Sequence, residues 1–449
     1  MATVETVHSR ARTPAFKFGL VVLLGALLAI PLFSVYLLVY DRQSQSTTAR
    51  SSIVAGWGDT QTLGGPFMVI PFTHLVQTST NENGHTIVRQ ESRDDSLVIA
   101  PTRLTLNTAL TPELRKRSIY EAVIYTAAVH ASGEFQLPDL VKLNIDPASL
   151  HLDQAQITIA ISGAKGLAGS QPVVSVDGQR LALIPGSGLS QAQGSGFSGR
   201  LLTAPAQNRA IPFDIGFQLR GHDSIALQPV AQDTSWHVTS SWPNPSFLGG
   251  FLPVSRTVDA KGFSADWRIG NLALNRPIVS INEQTPDSDN QISVALIDTV
   301  DLYSEVNRAT KYGFLFIGFT FVALLMFDIL AGVTIPGPAY LLVGVGLILF
   351  FVLLLAFAEV VGFTAAYLIA SSAMVALLSC YAAAILKSWR RGGVIGTMLI
   401  GLYAVLYVLL SLEAYSLLIG SLLLFAALAG VMYVTRNVNW RIARESDEG

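Results

Sequence analysis

"FGLVVLLGALLAIPLFSVYLLVY" occupies Phe18–Tyr40, and none of its residues is charged. A helix that crosses a bilayer needs about 20 mostly apolar residues, so this stretch predicts a transmembrane helix. Arg10, Arg12 and Lys17 precede it, as basic residues precede a secretory signal. The run is too long for the apolar region of a signal, and no A-x-A-type site follows it. A retained anchor is the expected reading, with cleavage as the alternative. Pro31 is expected to kink the helix.

Working outward, no comparable run appears until about Tyr312. From there the chain is nearly all apolar, with spans expected at 312–331, 338–358, 363–386, 394–412 and 415–434. Pro336 and Pro338, Glu359–Gly362, Lys387–Gly393 and Leu412–Ser416 separate them. Composition agrees: 51% of the 449 residues are hydrophobic and 13% charged, about half the usual charged fraction of ~25%. A net charge of −2 gives no electrostatic case for nucleic acid. The single cysteine, Cys380, rules out an intrachain disulfide and a cysteine-based metal site.

Cytoplasmic loops are rich in Lys and Arg. In a six-span arrangement Arg10, Arg12 and Lys17, then Lys387, Arg390 and Arg391, then Arg436, Arg441 and Arg444 share one side. Glu359 and Glu413 fall on the other; Arg308 and Lys311 break the pattern, but they follow a long translocated domain, where the rule is weak. Both termini are therefore expected in the cytoplasm. The expected organisation is a cytoplasmic N-terminus (1–17), an anchor helix (18–40), a periplasmic domain (41–308), a five-helix transmembrane bundle (309–434) and a cytoplasmic tail (435–449).

The outward domain reads as β-rich. "VVSVDGQRLALI" (Val173–Ile184) is two strands around an Asp177-Gly178 turn, and Asn83-Gly84 marks a second hairpin between His74–Thr80 and His85–Gln90. Ser118–Phe135 is a long run apolar on both faces, as in a sandwich core. "QITIAIS", "AIPFDIGFQL" and "WHVTSSW" are further short strands. "TPELRKR" (Thr111–Arg117) reads as one helical turn with Thr111 as cap and Pro112 at its first position. Strands at this spacing suggest a sandwich, either of two packed layers or split into two subdomains.

Motifs for chemistry are sparse. "GSGFSG" (Gly194–Gly199) matches G-x-G-x-x-G, but the strand-before, helix-after context that a dinucleotide site needs is missing. It reads as a flexible loop. The histidines form no metal-ligand spacing, and no G-x-S-x-G elbow is present. No catalytic residue, metal or cofactor is expected. Asp328, Glu359 and Glu413 are functional candidates, as intramembrane acids are by default. They lie near the ends of spans, where water is within reach, so an interfacial structural role stands beside a proton or ligand role. "SSWPNPSFLGGFLP" (Ser240–Pro253) is uncharged and kinked; its prolines are expected to prevent regular ladder pairing. It reads as a β corner folded on its own core, as a binding surface built from Trp242, Pro243, Pro245, Phe247 and Phe251, or as an active-site lid, against which stands the lack of accompanying catalytic residues.

Several stretches together resemble the CreD family of bacterial inner-membrane proteins. "LGGPFMVIPF" (Leu63–Phe72) is similar to its early GP-x-x-x-x-P element, and "RSIYEAVIYTA" (Arg117–Ala127) to one of its strands. Ser240–Pro253 followed by "GFSADWRI" (Gly262–Ile269) resembles its periplasmic block. Tyr303–Asp328 matches a pattern at Arg308, Lys311, Tyr312 and Leu315–Ile317, and Leu341–Ala370 and the C-terminal spans continue the likeness. Asp328 stands where the family usually has Glu, Ala339 where Gln is expected, and Ser162–Leu167 replaces a more acidic turn. The resemblance implies an envelope-integrity protein under two-component control, with no catalytic residues. The expected fold is an N-terminal transmembrane helix, a β-rich, sandwich-like periplasmic domain and a C-terminal five-helix bundle. Expected partners are the lipid bilayer and a periplasmic envelope component such as peptidoglycan. The alternative is a transporter or lipid-handling protein that works through Asp328, Glu359 and Glu413.

Overall fold

Helix α1 spans Pro14–Val54, 41 residues, or about 61 Å at 1.5 Å per residue. It continues through Pro31 and beyond Tyr40 into the polar sequence "DRQSQSTTARSS". That extension holds no Gly or Pro, and local bonds support it: Gln45 Nε2 donates to Asp41 Oδ2 at 2.8 Å, one helical turn apart. The structure, a computed structural model, describes residues 14–82, 85–167, 169–188, 195–206, 209–282, 288–297, 302–330, 335–411 and 416–436. The chain divides into two compact units, Thr48–Thr299, and Met1–Thr47 with Val300–Gly449.

In the helical unit, α1 is joined by α2 (Leu302–Leu330), α3 (Gly337–Val361), α4 (Phe363–Ile385), α5 (Trp389–Ser411) and α6 (Ser416–Thr435). Among the described residues, α1 to α5 are long and apolar enough to cross a membrane. Val21, Leu28, Leu32, Val35 and Val39 form a buried stripe on α1, at the three- and four-residue spacing of one helix face. Opposite them, Gly344 of α3 leaves the room that Leu28 fills, and Gly313 of α2 accommodates Leu32. Val22, Leu23, Ile30 and Phe33 point away and are exposed. Helix α2 begins ten residues before the expected span, because "YSEVNRAT" continues the helix. Gly392 and Gly396 of α5 approach α4 closely, where Cβ atoms would lie 2.5 Å from Ala383 Cβ and Ser379 Oγ. This is small-residue packing of the kind "GxxxG" suggests. At the centre, Phe350 meets Tyr403 (4.7 Å) and Tyr367 (5.5 Å).

The other unit is a two-layered β sandwich. One sheet has β1 (Gln61–Glu82) at its centre, flanked by β11 (Ser224–Gln228) and β5 (Gln156–Ile161). Beyond β11 lie β17 (Ile292–Leu296) and the edge strand β13 (Pro245–Gly249). Beyond β5 lie β9 (Gly196–Arg200) and β8 (Leu183–Pro185). The far half of β1 pairs with β2 (His85–Ile99), and β2 with β16 (Val279–Ile281). The second sheet runs β14 (Ser255–Asp259), β15 (Gly262–Gly270), β12 (Asp233–Ser240), β3 (Arg103–Arg117), β4 (Tyr120–Gln136), β10 (Ala210–His222), β6 (Val173–Val176) and β7 (Gln179–Arg180). A single core cluster draws on both sheets, so the layers are not separate subdomains. Phe197–Phe217 (5.6 Å) and Phe247–Trp267 (5.7 Å) meet between them.

Four sequence expectations are corrected here. "TPELRKR" is not a helical turn: it continues β3, in register with β4 from Thr111↔Thr126 to Arg117↔Tyr120. On its other side β12 pairs only as far as Leu110. Pro112 therefore has no ladder neighbour there that would need its missing N–H. In β4 only Ala122–Tyr125 is buried on both faces, and Ala128 and His130 beyond it are exposed. The outer face at Ala122 and Ile124 is covered by Ile53 and Val54 at the end of α1 and by Trp57 just after it, not by a sheet. "GSGFSG" is not a loop beyond Gly194, which lies outside the described residues: Gly196–Gly199 of the motif form most of β9, a buried strand. The Asp177-Gly178 turn has both φ angles positive (51° and 76°) as expected. However, its second strand ends at Arg180, and Leu183–Pro185 crosses to the other sheet.

Gly196 supplies a test of the β9 packing. Its φ is +127° and an added Cβ would run into the Ile159 carbonyl. Gly196→Ala is expected to cost about 2 kcal/mol or more, and Gly216→Ala, with nothing within 4 Å, well under half of that. Thermal unfolding of the two variants in detergent checks the contrast.

Candidate functional site

Of the three acids singled out in the sequence, Glu413 lies outside the described residues. Asp328 of α2 is 3% exposed in an apolar helix unit. Its Oδ1 accepts from Lys17 Nζ of α1 at 2.6 Å, with side-chain exposures of 1% and 19%. An isolated carboxylate there would bear a large desolvation cost; a paired one recovers much of it through the Coulomb term and hydrogen bond. Glu359, at the end of α3, accepts a hydrogen bond from Tyr303 Oη of α2 at 3.1 Å. Both described acids thus tie one helix to another. The sequence reading placed Lys17 only among the basic residues before the anchor and did not single out Tyr303. The tie between Lys17 and Asp328 joins positions 311 residues apart, which no local pattern reveals.

The aromatic stretch Ser240–Pro253 leaves one sheet at β12, adds β13 to the edge of the other, and returns to the first at β14. Contrary to the expectation from its prolines, part of it pairs regularly, from Pro245↔Leu296 to Gly249↔Ile292. Pro245 is the first residue of an edge strand, a place where proline is tolerated. Gly249, at φ +109°, lies so close to the Gln291 carbonyl that a side chain would not fit. The half-buried rings pack against the core. Trp242 Nε1 donates to the Ile297 carbonyl (3.0 Å), and Phe247 stands edge-on to Phe263 (5.9 Å) and Trp267 (5.7 Å). Trp267 Nε1 donates to the Phe251 carbonyl at 3.2 Å. Pro243 and Pro245 are half-buried beside them, while Leu248 and Leu252 are exposed.

His237 and His130 each meet an aspartate of a neighbouring strand, which sequence spacing did not show. His237 Nδ1 lies 2.6 Å from Asp266 Oδ1, and Ser255 Oγ donates to Asp266 Oδ2 at 2.8 Å. His130 Nε2 lies 2.8 Å from Asp214 Oδ2. Both pairs stand on neighbouring strands, His237 directly opposite Asp266 in the β12–β15 register. Among the described residues no group of three or more His, Cys, Asp or Glu could hold a metal ion.

The hydrogen bond from His237 outweighs desolvation and, joined by Ser255 and by the charges of His237 and Arg268, holds the Asp266 carboxyl below the usual aspartate range. A depressed folded-state pKa stabilises above the unfolded value, about 3.9, and that stabilisation is lost as pH falls through the folded value. Asp266→Asn is expected to cost less than ~1 kcal/mol at neutral pH, since the pair is exposed. In melts from pH 7 downward the difference from wild type fades below about pH 3.9.

A second prediction concerns Lys17 and Asp328. Asp328→Asn leaves the Lys17 ammonium unpaired and is expected to cost up to about 3 kcal/mol. Lys17→Met combined with Asp328→Leu is expected to restore most of the loss, because an apolar pair needs no compensation. Thermal stability of the purified variants in detergent reads both.

The sequence profile of the family described as "Inner membrane protein CreD" matches residues 13–441. Inner membrane protein CreD of Escherichia coli (strain K12) is 32% identical over 416 residues, which cover 92% of this chain and 91% of that one. Among solved structures, a substrate-bound mutant of an M1 zinc metallopeptidase from Deinococcus radiodurans is similar at a TM-score of 0.25 and 6% identity, over 47% of this chain and 53% of that one. A second structure of a mutant of that enzyme gives 0.23 and 9%, over 43% and 42%. The chain spans about half the length of these structures or less, and the likeness is too slight to bear on fold or chemistry.

Proposed function

The chain belongs to the CreD family of inner membrane proteins, and on that premise we propose that it supports cell-envelope integrity as a non-enzymatic scaffold. In this reading six spans hold both termini in the cytoplasm, and the sandwich binds an envelope component in the periplasm. Expression under a two-component system belongs to the same reading. The observation that supports it best is the engagement of both described acids in interhelical ties. A transporter normally places polar groups along a path near the midplane, whereas Leu341–Ala358 of α3 is wholly apolar in sequence. The serine beside His237 also speaks for a non-enzymatic role: Ser255 gives its hydrogen to Asp266 rather than to the imidazole, so nucleophile and base are not paired.

The alternative is transport or lipid handling through Asp328, Glu359 and Glu413. Dye exclusion by a strain lacking the gene separates the two. The strain is complemented with wild type or with Lys17→Met, Asp328→Leu, Glu359→Gln and Glu413→Gln combined, at matched protein levels. The scaffold reading expects the combined variant to restore the barrier to within about twofold of wild type. A folded variant that leaves the envelope leaky favours transport.

A further inference from the structure

The outer face of the eight-stranded sheet differs from an ordinary solvated sheet face. Water-facing positions usually hold long charged side chains such as Lys and Glu. Here the central row, read across the registers, is Ser255–Asp266–His237–Asn107–His130–Gly216. The row on one side continues as Ser264–Thr239–Ala109–Ala128. On the other side it is Arg268–Ser235–Thr105–Ser132–Asp214. Apart from Arg268, the side chains of these rows are short, so the surface between them is low and hydroxyl-rich. A cavity of about 590 Å³ opens on it, lined in part by Asn107, Ser235, His237, Ser255, Asp266 and Arg268.

The two His–Asp pairs give this face its orientation. A carboxylate bonded to one ring nitrogen fixes the imidazole and sets the role of the other nitrogen. His237 uses Nδ1 on Asp266 and His130 uses Nε2 on Asp214. That leaves His237 Nε2 and His130 Nδ1 for a ligand, with the Asn107 amide between them in the same row. Adjacent strands are about 4.8 Å apart, so a chain lying across them meets a polar group at each such step.

We propose that this face binds a neutral, polyhydroxylated glycan strand that crosses β15, β12, β3 and β4. The chemistry separates that ligand from others. Asp266 and Asp214 oppose an anionic polymer, with Arg268 as one nearby cation on β15. The face lacks the apolar area a lipid or hydrophobic peptide would need. Hydroxyl, amide and imidazole groups both donate and accept, as sugar hydroxyls do. This deepens the binding role proposed above and rests on it, naming the partner's class and a surface other than the aromatic corner.

The test uses the full chain in detergent and ligand-observed saturation-transfer NMR with two probes, chitohexaose and maltohexaose. Wild type is expected to transfer saturation to at least one of them; preference for chitohexaose identifies an acetamido glycan, and equal signals a general polyol site. Asn107→Lys with Ala128→Lys, both at exposed positions, is expected to reduce binding at least tenfold. Asn107→Ala is expected to weaken it about threefold. Leu272→Lys, at a residue 91% exposed, adds the same kind of charge elsewhere and is expected to change nothing. All are compared at unchanged melting temperature. The proposal is overturned if wild type binds neither glycan, if the double lysine variant binds as wild type does, or if polyphosphate binds more tightly than both sugars. It is also overturned if a folded Trp242→Ala variant abolishes binding that the double lysine variant retains. Binding is read on purified protein, so its failure is distinct from a failure of the dye-exclusion result.

Discussion

A carboxylate buried among apolar helices has to find a counter-charge, and Asp328 finds one in Lys17 from the far end of the chain. The pair places α1 beside the later helices in one unit, as does the stripe from Val21 to Val39 that fits the space left by Gly313 and Gly344. Helices in a bilayer gain little from apolar contact alone, since lipid tails are as apolar as leucine. Close packing at small residues and a specific polar tie therefore choose the partner. Both ends of the sandwich sequence lead into this unit, so closing the long chain between them is entropically costly only in proportion to the logarithm of its length.

Within the sandwich the comparable constraint is the shared core. Trp236 and Trp267, each at most 2% exposed, lie 5.0 Å apart on adjoining strands. Their burial obliges each indole N–H to find an acceptor. Trp236 uses the Thr108 hydroxyl and Trp267 the Phe251 carbonyl. The second bond reaches the segment that passes between the sheets, so the position of that corner depends on the tryptophan it covers. Gly65 serves a related purpose in β1: at φ +91° it lies in the irregularity between Gly64 and Phe67. The strand has β11 as a neighbour before that point and β2 after it.

Much of this was legible. Hydropathy located α1 and the later helices, because a span's signal is the sum of some twenty residues and no single position decides it. The Asp177-Gly178 turn was readable because positive φ is a local demand with a local residue preference. The misreadings share a cause of the opposite kind. Thr111–Arg117 has good helix-start residues, yet the pairing partner that makes it a strand lies in β4. Gly196–Gly199 has the composition of a loop, yet its glycines let β9 approach β5 and β8 closely. The run Ser118–Phe135 is apolar on both faces in sequence, yet its outer face is covered only at Ala122 and Ile124, by the end of α1 and Trp57, and the Lys17–Asp328 and His–Asp ties join positions no window contains.

The two candidate recognition surfaces of the sandwich differ in what their polar groups have left to give. An indole has one donor, and Trp242 spends it on the Ile297 carbonyl within the corner. Phe247 likewise directs its ring toward Phe263 and Trp267. What the corner presents outward is mainly aliphatic, Leu248 and Leu252. On the sheet face the accounting is reversed. Each imidazole spends one nitrogen on an aspartate and retains the other, and Asn107, an amide able both to donate and to accept, stands between them. Directional recognition requires unspent donors and acceptors held in fixed positions, and the strand registers of β12, β3 and β4 supply that fixity.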